Sequence, residues 1–306
     1  MSVETFRVAD FISDYLQKIG IKEVFLLPGG GAMHLVDAFG KQDGIDVYAC
    51  HHEQAVGISA EAAGRIRENF GVAVVTTGPG ATNIITPVVG AWIDSIPMLV
   101  ISGQAKRSDL IGDSGLRQKG VQEVNIVEIV KSVTKYAKTI EKPEDIKFEL
   151  QKAIQLATHG RKGPVWLDIP LDVQGAPVNP DKLTEYNDSN EQIVTEIQFD
   201  TDKVIDLLNQ AQRPLLLIGN GVRLSGAKTA CIEFIEKLGI PTVSTWNAMD
   251  ILPFDHSLNV GKPGVVALRA PNFAIQNADL LISVGCRLDN IITAFNPKDL
   301  HVELRK

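Results

Sequence analysis

The chain has 306 residues, of which 44% are hydrophobic and 22% are charged, and its net charge at pH 7 is −7. This composition is typical of a globular protein with about two domains, and the acidic balance disfavours nucleic acids and anionic membranes as partners. The sequence shows no signal-peptide pattern and no apolar run long enough to span a bilayer, which predicts a cytosolic protein. Its three cysteines are far apart in the chain, which predicts reduced thiols and no zinc site.

The first half of the chain alternates helical and strand patterns. Apolar residues recur at helical spacing from Val8 to Leu16, and Gly20 ends that helix. A second helix follows residue 31, and an alanine-rich helix covers residues 53–69. Short apolar strands are predicted at residues 22–27, 44–49, 71–76, 97–101 and 165–169. This alternation predicts the α/β class, with a parallel sheet covered by helices on both faces.

A polar segment with little periodicity, residues 177–198, predicts a surface linker. The α/β pattern then restarts. Its strands are predicted at residues 214–218, 241–244 and 280–284, with helices at 202–210 and 228–238. We therefore predict one domain over residues 1–176 and a second over residues 199–306, each a three-layer structure on a parallel sheet.

Four clusters of distinctive residues lie in the first half, mostly where strands end, and open α/β sheets bind ligands at such ends. They are Pro28-Gly29-Gly30-Gly31, His51-His52-Glu53-Gln54, Thr76 to Asn83, and Val121-Gln122-Glu123. The glycines would let a ligand approach the backbone closely, but a tight turn without a ligand explains them equally well. Glu53 opens a helix, so it is either a helix-stabilising carboxylate or a buried proton-transfer group. The residues alone leave these alternatives open.

Taken together and in order, the motifs resemble the pyrimidine-binding domain of the acetolactate synthases, which are thiamine-diphosphate enzymes. The matching segments are Pro28 to Gly30, His52 to Gln54, Gly78 to Asn83, Asp94 to Pro97, Gly103-Gln104, Gln122-Glu123, Gly160 to Val165 and Asp168 to Pro170. The resemblance covers nearly the whole chain. It implies a lyase or transferase that uses thiamine diphosphate to decarboxylate a 2-oxo acid and join the product to an acceptor.

The resemblance also assigns roles to particular residues. It implies that Glu53 is the catalytic residue, because in this family such a glutamate hydrogen-bonds N1′ of the aminopyrimidine and so lets the cofactor take the proton from its own C2 atom. The other residues implied to bind thiamine diphosphate are Pro28, Gly29, Gly30, Thr77, Pro79, Asn83 and Gln122.

The second half resembles the Rossmann-like central domain of the same enzymes, and it looks incomplete near residues 301–306. The Gly219-Asn220-Gly221 turn is by itself a weak dinucleotide signal, since Gly226 does not complete the usual spacing, and a structural turn is at least as good an explanation. Many relatives keep this domain without flavin, but the acetolactate synthases bind FAD there in a structural role. The residues implied to contact FAD are Arg161, Gly219, Gly221, Gly261, Gly264, Arg287 and Asp289.

Two positions near the substrate pocket depart from the family pattern. Val121 stands where the acetolactate synthases carry a phenylalanine, and Leu171 stands where they usually carry a lysine. Residues 116–120 are extra in the loop before Gln122. The resemblance therefore does not imply that the substrates are those of acetolactate synthase.

The motif that binds the diphosphate in this family is absent. It is Gly-Asp-Gly followed by paired asparagines, which supply oxygen ligands to Mg²⁺, and neither Gln42-Asp43-Gly44 nor Gly112-Asp113-Ser114 fits it. We therefore expect the Mg²⁺ ligands to lie outside this chain. The partner would be another copy in a homodimer or tetramer, or a second chain that carries the diphosphate domain. Two alternatives remain: a non-catalytic fragment or cofactor-binding subunit, and a nucleotide-binding module around Gly219–Gly221 that leaves the Glu53 cluster unexplained.

Overall fold

A computed structural model describes residues 6–67, 69–187 and 200–296. The chain divides into two compact units, residues 1–191 and 192–306. Within the described residues, no helix is both long enough and apolar enough to cross a membrane.

The first unit is built on a six-stranded sheet. The strands of the unit as a whole are β1 (Phe6–Arg7), β2 (Glu23–Leu26), β3 (Asp46–Ala49), β4 (Gly71–Val75), β5 (Met98–Gln104), β6 (Tyr136–Thr139), β7 (Pro164–Pro170) and β8 (Pro177–Val178). Its helices are α1 (Val8–Lys18), α2 (Met33–Lys41), α3 (Glu53–Ile66), α4 (Pro79–Asn83), α5 (Ile85–Asp94), α6 (Ile126–Val130), α7 (Ile146–Thr158) and α8 (Leu171–Gln174). The main sheet has the order β3-β2-β4-β5-β7-β6 with every pair parallel, while β1 and β8 form a separate antiparallel pair.

The three central strands β4, β5 and β7 are buried along their whole length. Parallel strands covered on both faces are expected to be apolar throughout, and the segments Gly71–Val75 and Met98–Ile101 satisfy this rule. The main core lies on the face packed by α1, α2 and α7. Ser102, Gln104 and Asp168 are exceptions, because they are polar and yet almost completely buried.

Helix α3 packs on the opposite face of this sheet at unusually short range. A Cβ atom at Gly71 on β4 would lie 1.7 Å from the carbonyl oxygen of Ala60, and one at Gly64 would lie 2.4 Å from that of Pro97. A Cβ at Gly57 would lie 2.3 Å from the ring of Pro87 on α5. Glycine is therefore required at each contact, and this close packing fixes where the first residue of α3, Glu53, lies relative to the strand ends.

The second unit contains a smaller parallel sheet in the order β11-β10-β9-β12. Its strands are β9 (Pro214–Ile218), β10 (Thr242–Ser244), β11 (Asn259–Gly261) and β12 (Leu280–Val284), and its helices are α9 (Thr201–Gln210), α10 (Gly221–Leu224), α11 (Lys228–Leu238) and α12 (Arg269–Asn277). Successive side chains of β9 enter opposite cores: Leu216 and Ile218 face one, Leu215 and Leu217 the other. Two parallel sheets with cores on both faces confirm the predicted α/β class.

The described part of the predicted linker, residues 177–187, belongs to the first unit. Pro177–Val178 pairs with β1, and Val178 and Leu183 are buried in its main core. These two apolar side chains hold a segment whose composition is otherwise polar. The rest of the predicted linker, residues 188–198, and the predicted incomplete end at residues 301–306 lie outside the described residues, so the domain boundaries stay a prediction.

Candidate functional site

The candidate site of the first unit lies at the carboxyl edge of its main sheet. The loops after β2, β3 and β4 carry the glycine turn at residues 28–31, the histidines that precede Glu53, and the Thr76–Gly78 turn. Because β3, β2 and β4 are neighbouring parallel strands, these loops emerge side by side. This is the edge at which open α/β sheets bind ligands.

Glu53 is the first residue of α3 and is only 9% exposed. The cap of this helix is His52, whose Nδ1 accepts a hydrogen bond from the backbone N–H of Gln54 at 3.1 Å. The carboxylate of Glu53 has a different partner, since its Oε2 accepts a hydrogen bond from Nδ2 of Asn83 at 3.0 Å. The capping function thus falls to the neighbouring histidine, and Glu53 is held toward α4.

Gly78 forms the turn between β4 and α4 with φ +59°, a conformation that favours glycine. A Cβ atom at this position would lie 2.0 Å from the carbonyl oxygen of Gln122. The structure therefore brings Gln122, some forty residues further along the chain, against the start of α4. Gln122 is itself exposed and has φ +56°, which is uncommon for a residue with a side chain.

The Gly29–Gly31 turn packs against the threonines that follow β4. Its Gly31 N–H donates to Oγ1 of Thr76 at 3.1 Å, and a Cβ atom at Gly31 would lie 1.8 Å from Oγ1 of Thr77. Thr77 is 3% exposed, and its hydroxyl has no hydrogen-bond partner within the described part of the chain. An unsatisfied buried hydroxyl at this edge is a group that a ligand could satisfy.

A buried glutamine that the sequence analysis did not single out fixes the same turn. Nε2 of Gln174, in the short helix α8, donates to the carbonyl oxygens of Gly31 and Ile169, both at 2.7 Å. Gln174 is completely buried. Its position just after β7 gave no sequence signal, because the contact joins residues 143 positions apart.

The loop between β5 and α6 is organised by Glu123. Its carboxylate accepts backbone N–H groups from Ile111 at 2.6 Å, Lys119 at 3.1 Å and Gly120 at 2.9 Å. Burial opposes ionisation, but these hydrogen bonds outweigh it and hold the pKa of Glu123 below its usual range. The extra residues 116–120 therefore form part of a loop that closes on Glu123, beside Gln122.

The two positions that depart from the family pattern are also at this edge. Val121 is 84% exposed, so the side chain that replaces an aromatic residue covers nothing in this chain. Leu171 opens α8, and the nearby cation, Arg107, binds Asp172 through its Nε at 2.7 Å. A positive charge in this region is thus already paired with a carboxylate.

Arg161 lies away from these residues. It precedes β7, and its Nε donates to Oγ of Ser95 at 3.0 Å, at the end of α5. That is the amino edge of the sheet, opposite the edge that holds Glu53. Within the first unit, the structure therefore does not bring Arg161 together with the candidate thiamine-diphosphate residues.

In the second unit, the predicted flavin residues gather around the carboxyl ends of the strands. The Gly219 turn follows β9 and packs on Gly285, which follows β12. The N–H of Gly221 donates to the carbonyl oxygen of Gly285 at 2.9 Å. A Cβ atom at Gly219 would lie 2.2 Å from that same oxygen. These glycines are thus needed for strand-end packing. They would be required whether or not a ligand binds.

The remaining predicted flavin residues form a neighbouring pair of loops. A Cβ at Gly264 would lie 2.2 Å from the carbonyl oxygen of Ile291, and Oδ1 of Asp289 accepts the N–H groups of Ile291 and Ile292. Arg287 lies 3.7 Å from Asp289, and Gly261 ends β11 with φ +111°. Across the described residues of both units, no group of three or more His, Cys, Asp or Glu side chains is placed to hold a metal ion.

Comparison with known proteins agrees with this architecture. Residues 6–129 match the family described as thiamine pyrophosphate enzyme, N-terminal TPP binding domain, and residues 201–304 match the thiamine pyrophosphate enzyme central domain. Among curated proteins, the chain is 33% identical over 287 residues to the acetolactate synthase large subunit of Lactococcus lactis, covering 92% of this chain and 48% of the relative.

Two further relatives give the same result. The chain is 32% identical over 310 residues to the probable acetolactate synthase large subunit of Methanocaldococcus jannaschii, with 97% of this chain and 51% of the relative covered. It is 34% identical over 288 residues to the acetolactate synthase isozyme 1 large subunit of Escherichia coli, with 93% and 49% covered. The chain spans about half the length of these relatives. It belongs to the thiamine pyrophosphate enzymes and carries their N-terminal TPP-binding domain and central domain.

Proposed function

We propose that the first unit supplies the aminopyrimidine side of a thiamine-diphosphate site, with Glu53 as its acid–base residue. The observation that carries this proposal is the buried Glu53 carboxylate at the carboxyl edge of the sheet, beside Gly80 and Asn83 of α4. Asn83 orients this carboxylate through Oε2. A buried carboxyl group beside glycine turns is suited to exchange a proton with a bound heterocycle.

The residues present fit such a group. Gly80 follows the turn, and a Cβ atom there would lie 3.4 Å from Oε1 of Glu53, so even a methyl group would occupy the space beside the carboxylate. Thr77 offers a buried hydroxyl with an unused hydrogen-bonding capacity. A carboxylate, a hydroxyl and an exposed amide at Gln122 provide the mixed donors and acceptors that the amino group and ring nitrogens of an aminopyrimidine require.

Thiamine diphosphate, when bound, supplies the carbon nucleophile and the electron sink of the reaction. The part of this chain is proton control and orientation. Since Asn83 occupies Oε2 of Glu53, the other oxygen, Oε1, is the atom that would hold the proton shared with the ligand. The Gly31 and Gly78 turns are held by Thr76, Gln174 and the Gln122 loop, so the backbone around Glu53 is already ordered in this arrangement.

The reaction class that we propose is decarboxylation and carboligation of a 2-oxo acid, which the similarity to acetolactate synthases supports. Because the chain spans about half of these relatives, we propose that Mg²⁺ and the diphosphate are bound by residues outside it. Exposed apolar side chains close to Glu53 in the chain support a protein partner there, either another copy or a second chain. They are Tyr48 on β3 and Ile58 on α3.

For the second unit we propose an FAD site at the carboxyl edge of its sheet, with FAD in a structural role. The support is the convergence of Gly219, Gly264 and Asp289 on the ends of β9, β11 and β12. The packing of Gly219 on Gly285 is the competing explanation. Titration of the chain with FAD, followed by quenching of flavin fluorescence, tests the proposal, and an unquenched signal at saturating protein would reject it.

The test of the main proposal is calorimetric titration of the intact chain with thiamine and, separately, with thiamine diphosphate plus Mg²⁺. We expect weak binding of both ligands, with little gain from the diphosphate, since its ligands lie elsewhere. Glu53→Gln should lose most of this binding, whereas Glu144→Gln, the same change at an exposed position, should keep it. Equal affinities for the two variants would remove Glu53 from the site.

The same samples decide between an active enzyme and a cofactor-binding part that needs a partner. We expect no carbon dioxide from pyruvate with this chain alone. Tight, Mg²⁺-dependent binding together with measurable decarboxylation would overturn the proposal that the diphosphate side is supplied from outside.

A further inference from the structure

A buried polar network lies next to the candidate site, at the end of β5. The carboxylate of Asp168 on β7 accepts hydrogen bonds from Oγ of Ser102 at 2.6 Å, Nε2 of Gln104 at 3.0 Å and Oγ1 of Thr139 at 3.3 Å. Nε1 of Trp166 in turn donates to Oγ of Ser102 at 2.8 Å. Asp168, Ser102 and Gln104 are all at most 4% exposed, so this network is shielded from water.

The direction of these hydrogen bonds is determined by the chemistry of the groups. An indole N–H can only donate, so the Ser102 hydroxyl accepts from Trp166 and must direct its own proton to Asp168. The Gln104 amide is oriented in the same way. Its Nε2 faces both Asp168 and the carbonyl oxygen of Val124, at 2.8 Å, while its Oε1 accepts the N–H of Ala105 at 2.9 Å. A flipped amide would place an oxygen against two acceptors.

The second hydrogen bond of Gln104 reaches out of the core into a loop. Val124 lies two residues after Gln122, whose carbonyl oxygen is in contact with Gly78, and it follows Glu123, which binds the N–H groups of this same loop. Gln104 is thus the link between the buried carboxylate and the segment that borders the candidate site. Ser102 and Thr139 bind the same carboxylate, and neither has a hydrogen bond to the loop among the described contacts.

We propose that Gln104 is a positioning residue: held by Asp168, it sets through the Val124 carbonyl the place of Gln122 beside Gly78 and α4. In this proposal Gln104 acts only through the loop and does not itself contact a ligand. The statement that this loop faces the cofactor rests on the proposed function, whereas the tether itself does not. Loss of the Gln104 amide should release the loop selectively, because the Val124 carbonyl then keeps only the local hydrogen bond from the N–H of Ile126 at 2.9 Å, and the Glu123 contacts become the main restraint.

Hydrogen exchange of the intact chain, measured by mass spectrometry, tests the tether. Gln104→Met keeps the size of the side chain and removes both donors. We expect it to raise the exchange of peptides covering residues 108–124 roughly tenfold, with β4 and β7 little changed. Ser102→Ala and Thr139→Val are the matched controls, since each removes a donor to Asp168 without touching the loop. Both variants should lower global stability, and they should not raise hydrogen exchange in the loop more than in the rest of the unit.

Thiamine affinity provides a second measurement, because it would stay unchanged if Gln104 had a purely structural role. Gln104→Met should weaken thiamine binding, while Ser102→Ala should preserve it. If Gln104→Met does not fold, Gln104→Asn replaces it, because an amide one methylene shorter cannot span both Asp168 and Val124. Loop exchange that is unchanged in the Gln104 variant, or raised equally in the controls, would overturn the inference. Absence of thiamine binding by the unmodified chain would instead count against the proposed function, and the exchange comparison would still decide the tether.

Discussion

The buried carboxylate of Asp168 predicts an unusual dependence of stability on pH. Burial raises its pKa from the ordinary 3.8 to about 7, although the hydrogen bonds from Ser102, Gln104 and Thr139 oppose this shift. An acid whose folded-state pKa is raised binds its proton more tightly when folded. Its contribution to stability is therefore complete below about pH 4 and is lost as the pH rises through 7.

The size of the effect follows from these two pKa values. Between pH 5 and pH 8 the folded first unit should lose about 2.5 kcal/mol of stability through Asp168 alone. Glu123 has a lowered pKa, so its contribution is lost only as the pH falls below its ordinary value of 4.5, outside this window. Asp168→Asn cannot titrate, and it should lower stability while removing this part of the pH dependence.

Urea unfolding followed by tryptophan fluorescence measures the difference. Trp246→Phe in every sample leaves Trp92 and Trp166 as reporters of the first unit, and Trp166 is fully buried beside the network. Asp43→Asn, at an exposed position, is the matched control and should keep the pH dependence of the parent. If Asp168→Asn shows the same change in unfolding free energy between pH 5 and pH 8 as Asp43→Asn, the reasoning about Asp168 is refuted.

Three further predictions concern the turns and the packing around the site. Gln174→Leu should destabilise the first unit by about 2 kcal/mol or more, because it leaves the carbonyls of Gly31 and Ile169 buried without donors; Gln151→Leu, a half-buried control, should cost less in the same urea titration. Gly71→Ala should lower the unfolding midpoint strongly, since its methyl group would lie 1.7 Å from a backbone oxygen of α3, whereas Gly40→Ala, in open space, should not. Glu123→Gln should speed cleavage by trypsin after Arg117 and Lys119, because an amide carries one oxygen where the carboxylate has two; unchanged cleavage would mean that other contacts hold this loop.

The sequence by itself determined the class of the fold and which motifs follow the strands at the carboxyl edge of the first sheet. Continuous apolar strands followed by glycine turns predicted parallel sheets, and the structure has strands at each of the predicted segments. Other elements are not predicted by these patterns, among them β6, β11, α5, α7 and α12, although α7 has four buried apolar positions at helical spacing. Local patterns succeed for the central strands because a buried parallel strand must be apolar and must end in a turn.

Only the tertiary structure decided which residues meet at the site. It showed that His52 caps α3 and that Asn83 holds the Glu53 carboxylate, a distinction that no local pattern makes. It placed Arg161 at the opposite edge of the first sheet. It also showed that Gln104 and Gln174 bind backbone groups 20 and 143 residues away along the chain. A side chain that satisfies a distant backbone carbonyl leaves no periodic signal in the sequence, because its partner is selected by packing and not by spacing.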